Sequence, residues 1–191
     1  METTNSDLYH IPINELVKAL VESHQIFRIH DLPQIEAQLN YLKNNIVDGE
    51  KKFSSSLEDF KNFKEEFLSH MQEEESFLFP KIERTDLCLK NPDLYPEIFK
   101  GSINMFPPSQ IRLPEEAFKE MIANLINKIN SIAFKEEKAI IFKDILTILQ
   151  AHSQRLNTHT SVETDILFPR ALEMENELRN RQIKSLNEET E

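Results

Sequence analysis

The sequence predicts an all-α protein built as a bundle of four long helices, and three observations carry that prediction. Only two glycines occur in 191 residues, which leaves little material for tight hairpins. Glu, Lys, Leu and Asn dominate between the apolar positions. Apolar residues also recur at three- and four-residue intervals over long stretches, the period of a half-buried helix. The length suits a single domain with a substantial core.

The first helix is expected from about Ile13 to about Ile46, after a polar arm over residues 1–12. Its inner stripe reads Leu16, Val17, Leu20, Val21, His24, Phe27, Ile35, Leu39 and Leu42. Pro33 predicts a kink or break near Asp31-Leu32-Pro33, and Val47-Asp48-Gly49 closes the element. The second helix follows Ser54-Ser55-Ser56, good N-cap material. Its seam reads Phe60, Phe63, Phe67, His70, Glu74 and Phe77, a 3-4-3-4-3 spacing. Pro80 is expected to end or bend it.

From about Arg84 to Leu113 the prolines 92, 96, 107 and 108 mark a long connection, a kind of segment that often carries function. The third helix is expected over 114–134, opened by Pro114-Glu115-Glu116 with acidic residues at its positive end. It would bury Phe118, Met121, Ile122, Leu125, Ile129 and Ile132, and it carries no histidine. The fourth runs from about Glu136 to about Leu172 along Ile145, Ile148, His152, Leu156, His159, Glu163 and Ile166. The bundle then covers residues 13–173, and residues 174–191 form a charged tail or helix extension.

A net charge of −11 argues against a nucleic-acid partner, which needs clustered Lys and Arg. No apolar run approaches the ~20 residues that span a bilayer, so no membrane partner is expected. Met1 to Tyr9 is polar and lacks the apolar core of a secretory signal. A single cysteine, Cys88, excludes an internal disulfide, and the expected location is cytoplasmic.

One pattern occurs twice, 89 positions apart: His70 to Lys81 and His159 to Arg170. Both reduce to His-x-x-x-Glu, three residues ending in an apolar one, then Leu-Phe-Pro and a basic residue. Positions i and i+4 are neighbours on a helix face, so each copy offers an imidazole beside a carboxylate, a pair that suits a transition metal. His70 and Glu74 lie in a phenylalanine seam, and His159 and Glu163 lie between Leu156 and Ile166. A carboxylate buried there must be paired, protonated or metal-bound. The metal-free alternative is a polar core network in which each Glu hydrogen-bonds a buried histidine.

His24, in the inner stripe of the first helix, is the further candidate ligand. His30 points to another side of a regular helix. His152 is seven residues from His159, roughly 10 Å along the axis, and reads as a core or supporting histidine. His10 is expected in solvent. No catalytic acid, base or nucleophile stands apart from these candidates.

The repeated His-x-x-x-Glu-x-x-x-Leu-Phe-Pro resembles the hemerythrin-like (HHE cation-binding) domain, and within it the RIC di-iron proteins of iron-centre repair. Val21-Glu22-Ser23-His24 leading to Asp31-Leu32-Pro33, Ser69 to Ile82, and His159 to Leu172 carry the resemblance. It implies a four-helix bundle with two non-haem irons. His24, His70 and His159 would be terminal ligands, with Glu74 and Glu163 bridging. It also implies nitric oxide or oxygen as a diatomic ligand and iron–sulfur proteins as partners, in stress response or cluster repair. Two family histidines are missing: Asn44 to Asp48 has none, and Gly101-Ser102-Ile103-Asn104-Met105 is followed by none. The site could be an altered di-metal centre, a mononuclear one or a relic. The alternative function is a metal-depleted bundle that binds a partner or regulates.

Overall fold

The computed structural model describes residues 8–45, 51–92, 108–131 and 139–188, and the regular elements among them are helical, with no strand. Helix α1 (Ile13–Ile26), a π-helical turn π1 (Phe27–Asp31) and α2 (Leu32–Asn45) follow without a break and form the first rod. The second rod joins α3 (Lys51–Glu73), π2 (Glu74–Leu78) and α4 (Phe79–Lys90) in the same way. Helix α5 (Pro108–Asn130) is the third rod. The fourth joins α6 (Ala139–Val162), π3 (Glu163–Leu167) and α7 (Phe168–Glu188). None of the described helices is long and apolar enough to cross a membrane.

The rods pack as a bundle with two halves. In one half α3 lies against α5, α5 against α6, and α2 against both α3 and α6. In the other, α4 packs on α1 and on α7. Each half has its own apolar core. The larger contains Phe27, Phe53, Phe60, Phe63, Phe67, Met71, Ile122 and Leu149 among others. The smaller joins Ile13, Leu16, Leu20, Phe79, Ile82, Leu167 and Phe168. Each fully buried side chain of this size stabilises the fold by about 1.5–3 kcal/mol. The polar residues singled out above lie where the two cores meet.

The π turns explain how helices run through prolines. A proline lacks an N–H, and its ring collides with the carbonyl four residues back. Each π turn begins six residues before a proline: Phe27 before Pro33, Glu74 before Pro80 and Glu163 before Pro169. The residue just before the proline then bonds five residues back, Leu32 to Phe27, Phe79 to Glu74 and Phe168 to Glu163. The helix widens by one residue, and proline sits in the first turn of the next helix, where its missing N–H costs nothing.

Several expected boundaries move for this reason. The second helix does not end at Pro80 but runs to Lys90, so residues 84–90 belong to it rather than to the connection. The fourth continues past residue 173 to Glu188. Phe77 was expected in the seam but is 75% exposed, while Phe79 is 1% exposed, because the extra residue rotates the helix face. The second helix starts at Lys51, ahead of the serine cluster. The third starts at Pro108 rather than 114, so Glu115 lies two turns inside it. The Val47-Asp48-Gly49 turn, Ile132, and the connection over 93–107 lie outside the described residues.

Candidate metal centre

Helical phase brings the repeated pairs to the junction of the two cores. Glu74 and Glu163 are the first residues of π2 and π3, each one turn beyond its histidine. Phe27 holds the same place in π1, and its ring packs against those of His152 and His159. His24 comes from the last turn of α1 and His70 from the last turn of α3.

Two groups of ligand atoms result, each with all its atoms within 4.8 Å of one another. One contains His24, Glu74, His159 and Glu163, the other His70, Glu74 and Glu115. His24 Nε2 faces His159 Nε2 at 3.1 Å and Glu74 Oε2 at 3.4 Å. His159 Nε2 is 3.1 Å from Glu163 Oε1. On the far side His70 Nε2 lies 3.3 Å from Glu74 Oε1 and 2.5 Å from Glu115 Oε1. Glu74 therefore turns one oxygen to each group. All five residues expected from the sequence meet here.

Glu115 was not among them. It is 1% exposed, and its burial, rather than the helix dipole, is the reason to find it significant. Glu75 was also missed. Its Oε1 accepts from His24 Nδ1 at 2.8 Å and from Arg28 Nη1 at 2.7 Å. Because a carboxylate only accepts, His24 must carry its proton on Nδ1. A neutral ring then directs the lone pair of Nε2 into the cluster. Such an outer carboxylate fixes a ligand's tautomer and orientation. Aromatic rings brace the rest: Phe79 stacks on His24 with centroids 5.7 Å apart, and Phe118 lies 5.1 Å from His70.

The electrostatics of the cluster ask for positive charge. Both oxygens of Glu74, both of Glu163 and Oε2 of Glu115 are buried with no hydrogen-bond donor. When ionised these atoms can only accept, and leaving them unpaired costs several kcal/mol each. Burial, reinforced by Glu74 and Glu115, pushes the Glu163 carboxyl well above its usual range. Burial likewise raises Glu115, although His70 opposes it. Burial also works against ionised Glu74, but the imidazoles of His24 and His70 beside it, 3.4 and 3.3 Å away, outweigh it and hold its pKa low. His159 is driven down to about 3, first by burial and then by its neighbour His24. A divalent cation would satisfy the orphaned oxygens and relieve both carboxylate repulsion and imidazole crowding. Mixed imidazole and carboxylate donors suit iron, manganese or zinc.

His152 is not part of the cluster. Its Nδ1 lies 3.2 Å from Asp31 Oδ2, and its ring is packed among Phe27, Phe63 and Phe67. Arg155 grips Asp31 with two bonds, Nε to Oδ2 at 2.7 Å and Nη2 to Oδ1 at 2.6 Å. His30 Nδ1 reaches Asp31 Oδ1 at 2.9 Å from an exposed position. His10 is exposed and Cys88 buried.

No protein-family model and no curated protein matches the sequence.

Proposed function

We propose that this chain is a hemerythrin-like non-haem iron protein with a two-ion centre. In this reading it serves the response to nitric oxide or oxygen stress, or the repair of iron–sulfur clusters. One observation supports the metal reading above the rest: five buried carboxylate oxygens have no donor, and they converge with three imidazoles. The identity of the metal and the physiological setting rest on the resemblance of the His-x-x-x-Glu-x-x-x-Leu-Phe-Pro repeats.

His24, His159 and Glu163 would hold one ion, His70 and Glu115 the other, and Glu74 would reach both. Bound iron would supply reversible redox change and coordination of a diatomic ligand. The protein's own share is different. Glu75 keeps the His24 proton on the outer nitrogen, Arg28 holds Glu75, and Phe27, Phe79 and Phe118 exclude water and restrict imidazole rotation.

Anaerobic Fe(II) loading, desalting and metal analysis, followed by an optical spectrum in air, test the reading. About two irons per chain with oxo-bridge charge-transfer bands is the expected result. Failure to retain iron would overturn it and leave the metal-depleted, partner-binding bundle.

A further inference from the structure

Helix α6 presents a neutral face on a chain of net charge −11. From Thr147 to Val162 it carries one lysine, arginine, aspartate or glutamate in 16 residues, Arg155. The equal stretch Glu58–Glu73 of α3 carries seven. The outer positions of α6 are amides and hydroxyls instead, among them Thr147, Gln150, Gln154, Asn157 and Thr158. Asp31 takes up the lone guanidinium in two bonds of 2.7 and 2.6 Å. The adjoining stretch of the first rod, Leu32–Leu42, is alike. Its one charged residue, Glu36, accepts from Lys64 Nζ at 2.6 Å on the side of α3.

The face is also apolar where the first and fourth rods part. A groove of about 440 Å³ lies between α1 and α6, with Leu20, Ile26, Ala151 and Val162 in its wall. Ile26 is 47% exposed, Ile29 three residues on is 79% exposed, and Tyr41 on α2 is 49% exposed. Loss of Lys, Glu and Asp with retention of apolar and aromatic side chains is the composition of a protein–protein interface core.

We infer that this face receives a second copy of the chain, in a two-fold dimer with α6 near its counterpart. Charge selects the occupant. Two chains of net −11 repel wherever their acidic surfaces meet, and contact here brings the least charge together. A basic partner would favour the acidic surfaces instead. Amides and hydroxyls donate and accept alike, so each can pair with its own copy across a two-fold axis. Ile26 and Ile29 supply the apolar contact. A face two helices wide and 16 residues long offers on the order of 500 Å² per copy, below the ~800 Å² of a standard stable interface. The dimer should therefore exchange with monomer. His159 lines the same groove, so the second copy would also cover the cluster from that side.

Sedimentation velocity of the full metal-free chain, over a range of concentrations at low and high salt, tests the inference. A reversible monomer–dimer equilibrium is expected, severalfold tighter at high salt, because salt screens the repulsion between like-charged chains. Ile26→Glu puts a charge on both sides of the contact and should weaken the dimer at least tenfold. Gln154→Glu keeps the shape of an exposed residue and should weaken it severalfold. Ile183→Glu is the control: this isoleucine is 53% exposed on α7, about 30 Å beyond Val162 along the rod, and its loss should leave the dimer unchanged. All three positions are exposed, so far-UV circular dichroism should match the parent. The inference fails if the chain stays monomeric at every concentration and salt, or if salt loosens the dimer. It fails equally if Ile26→Glu and Gln154→Glu dimerise as the parent does, or if Ile183→Glu is as damaging as Ile26→Glu.

Discussion

Glu115 meets His70 at 2.5 Å across 45 positions of sequence, joining the third rod to the second through a carboxylate that is 1% exposed. A side chain on a helix without histidines thereby completes one of the two ligand groups. Glu115 and Glu74 contribute unequally, and that inequality can be measured. Glu115→Gln keeps the shape but removes the charge from one group only, and should reduce metal content from two ions to one. Glu74→Gln touches both groups and should abolish retention of either ion. Metal analysis after desalting separates the two outcomes. Equal losses would show that the groups are not distinct.

Glu75 acts at one remove. Glu75→Gln can still contact His24, but it no longer offers a carboxylate to Nδ1. Loss of an outer partner of this kind costs about 10–100-fold in metal affinity. Competition with a metal indicator dye should show that loss, while the thermal midpoint of the metal-free protein stays near that of the parent.

Asp31 supplies a prediction about acid. Burial alone would raise its pKa, but hydrogen bonds from His152, Arg155 and His30, together with the Arg155 charge, hold it well below the usual carboxylate range. A group depressed in the folded state stabilises the protein above its unfolded pKa. That stability is lost as pH falls through the folded value. The contribution is therefore complete at neutral pH and declines only as pH falls below about 4 toward the folded value. Arg155→Met leaves Asp31 buried with only histidine partners. Breaking such a pair costs about 3–5 kcal/mol when both groups are buried. The half-exposed guanidinium lowers the expectation to about 2 kcal/mol. Urea unfolding at pH 7 and at about pH 2.5 should show a larger deficit at pH 7.

Proline supplies a fourth prediction. Pro169→Ala restores the missing N–H and removes the ring that disfavours a regular turn at π3. Far-UV circular dichroism should show equal or greater helix content. If the turn closes to α-geometry, α7 rotates relative to α6, the packing behind Glu163 shifts against the other rods, and metal affinity should fall at least tenfold. A variant that binds metal as the parent does would show that packing alone maintains the turn.

Much of this architecture was legible in the sequence because period and burial agree over long stretches. The stripe from Leu16 to Leu42 and the seam from Phe60 to Glu74 lie inside as their spacing requires, with Val21 and His70 half-buried. The reading failed where the period itself changes. Nothing in a 3.6-residue repeat anticipates the turn at Glu74, so Phe77 took the place that belongs to Phe79 and Pro80 looked like a terminus. Pro33 suggests a kink or break and Pro80 an end or bend, while the expected fourth helix runs straight through Pro169; the structure instead widens the helix ahead of all three. Glu115 and Glu75 were hidden for another reason. One sits beside Glu116 and the other in the run Glu73-Glu74-Glu75, where composition does not distinguish a buried acid from a solvated one.

The three π turns also define how this chain tolerates insertion and deletion. Each holds one residue more than a regular helix needs, and an α-helix turns about 100° per residue. Deleting a single residue from π1, π2 or π3 would leave a continuous and more regular helix. It would also rotate everything beyond that point by about a quarter turn relative to the other rods. Leu16, Ile82 or Phe168 would then leave the smaller core while the larger one stayed intact. The middle of these rods, far from any loop, is therefore where the sequence can least afford to change length.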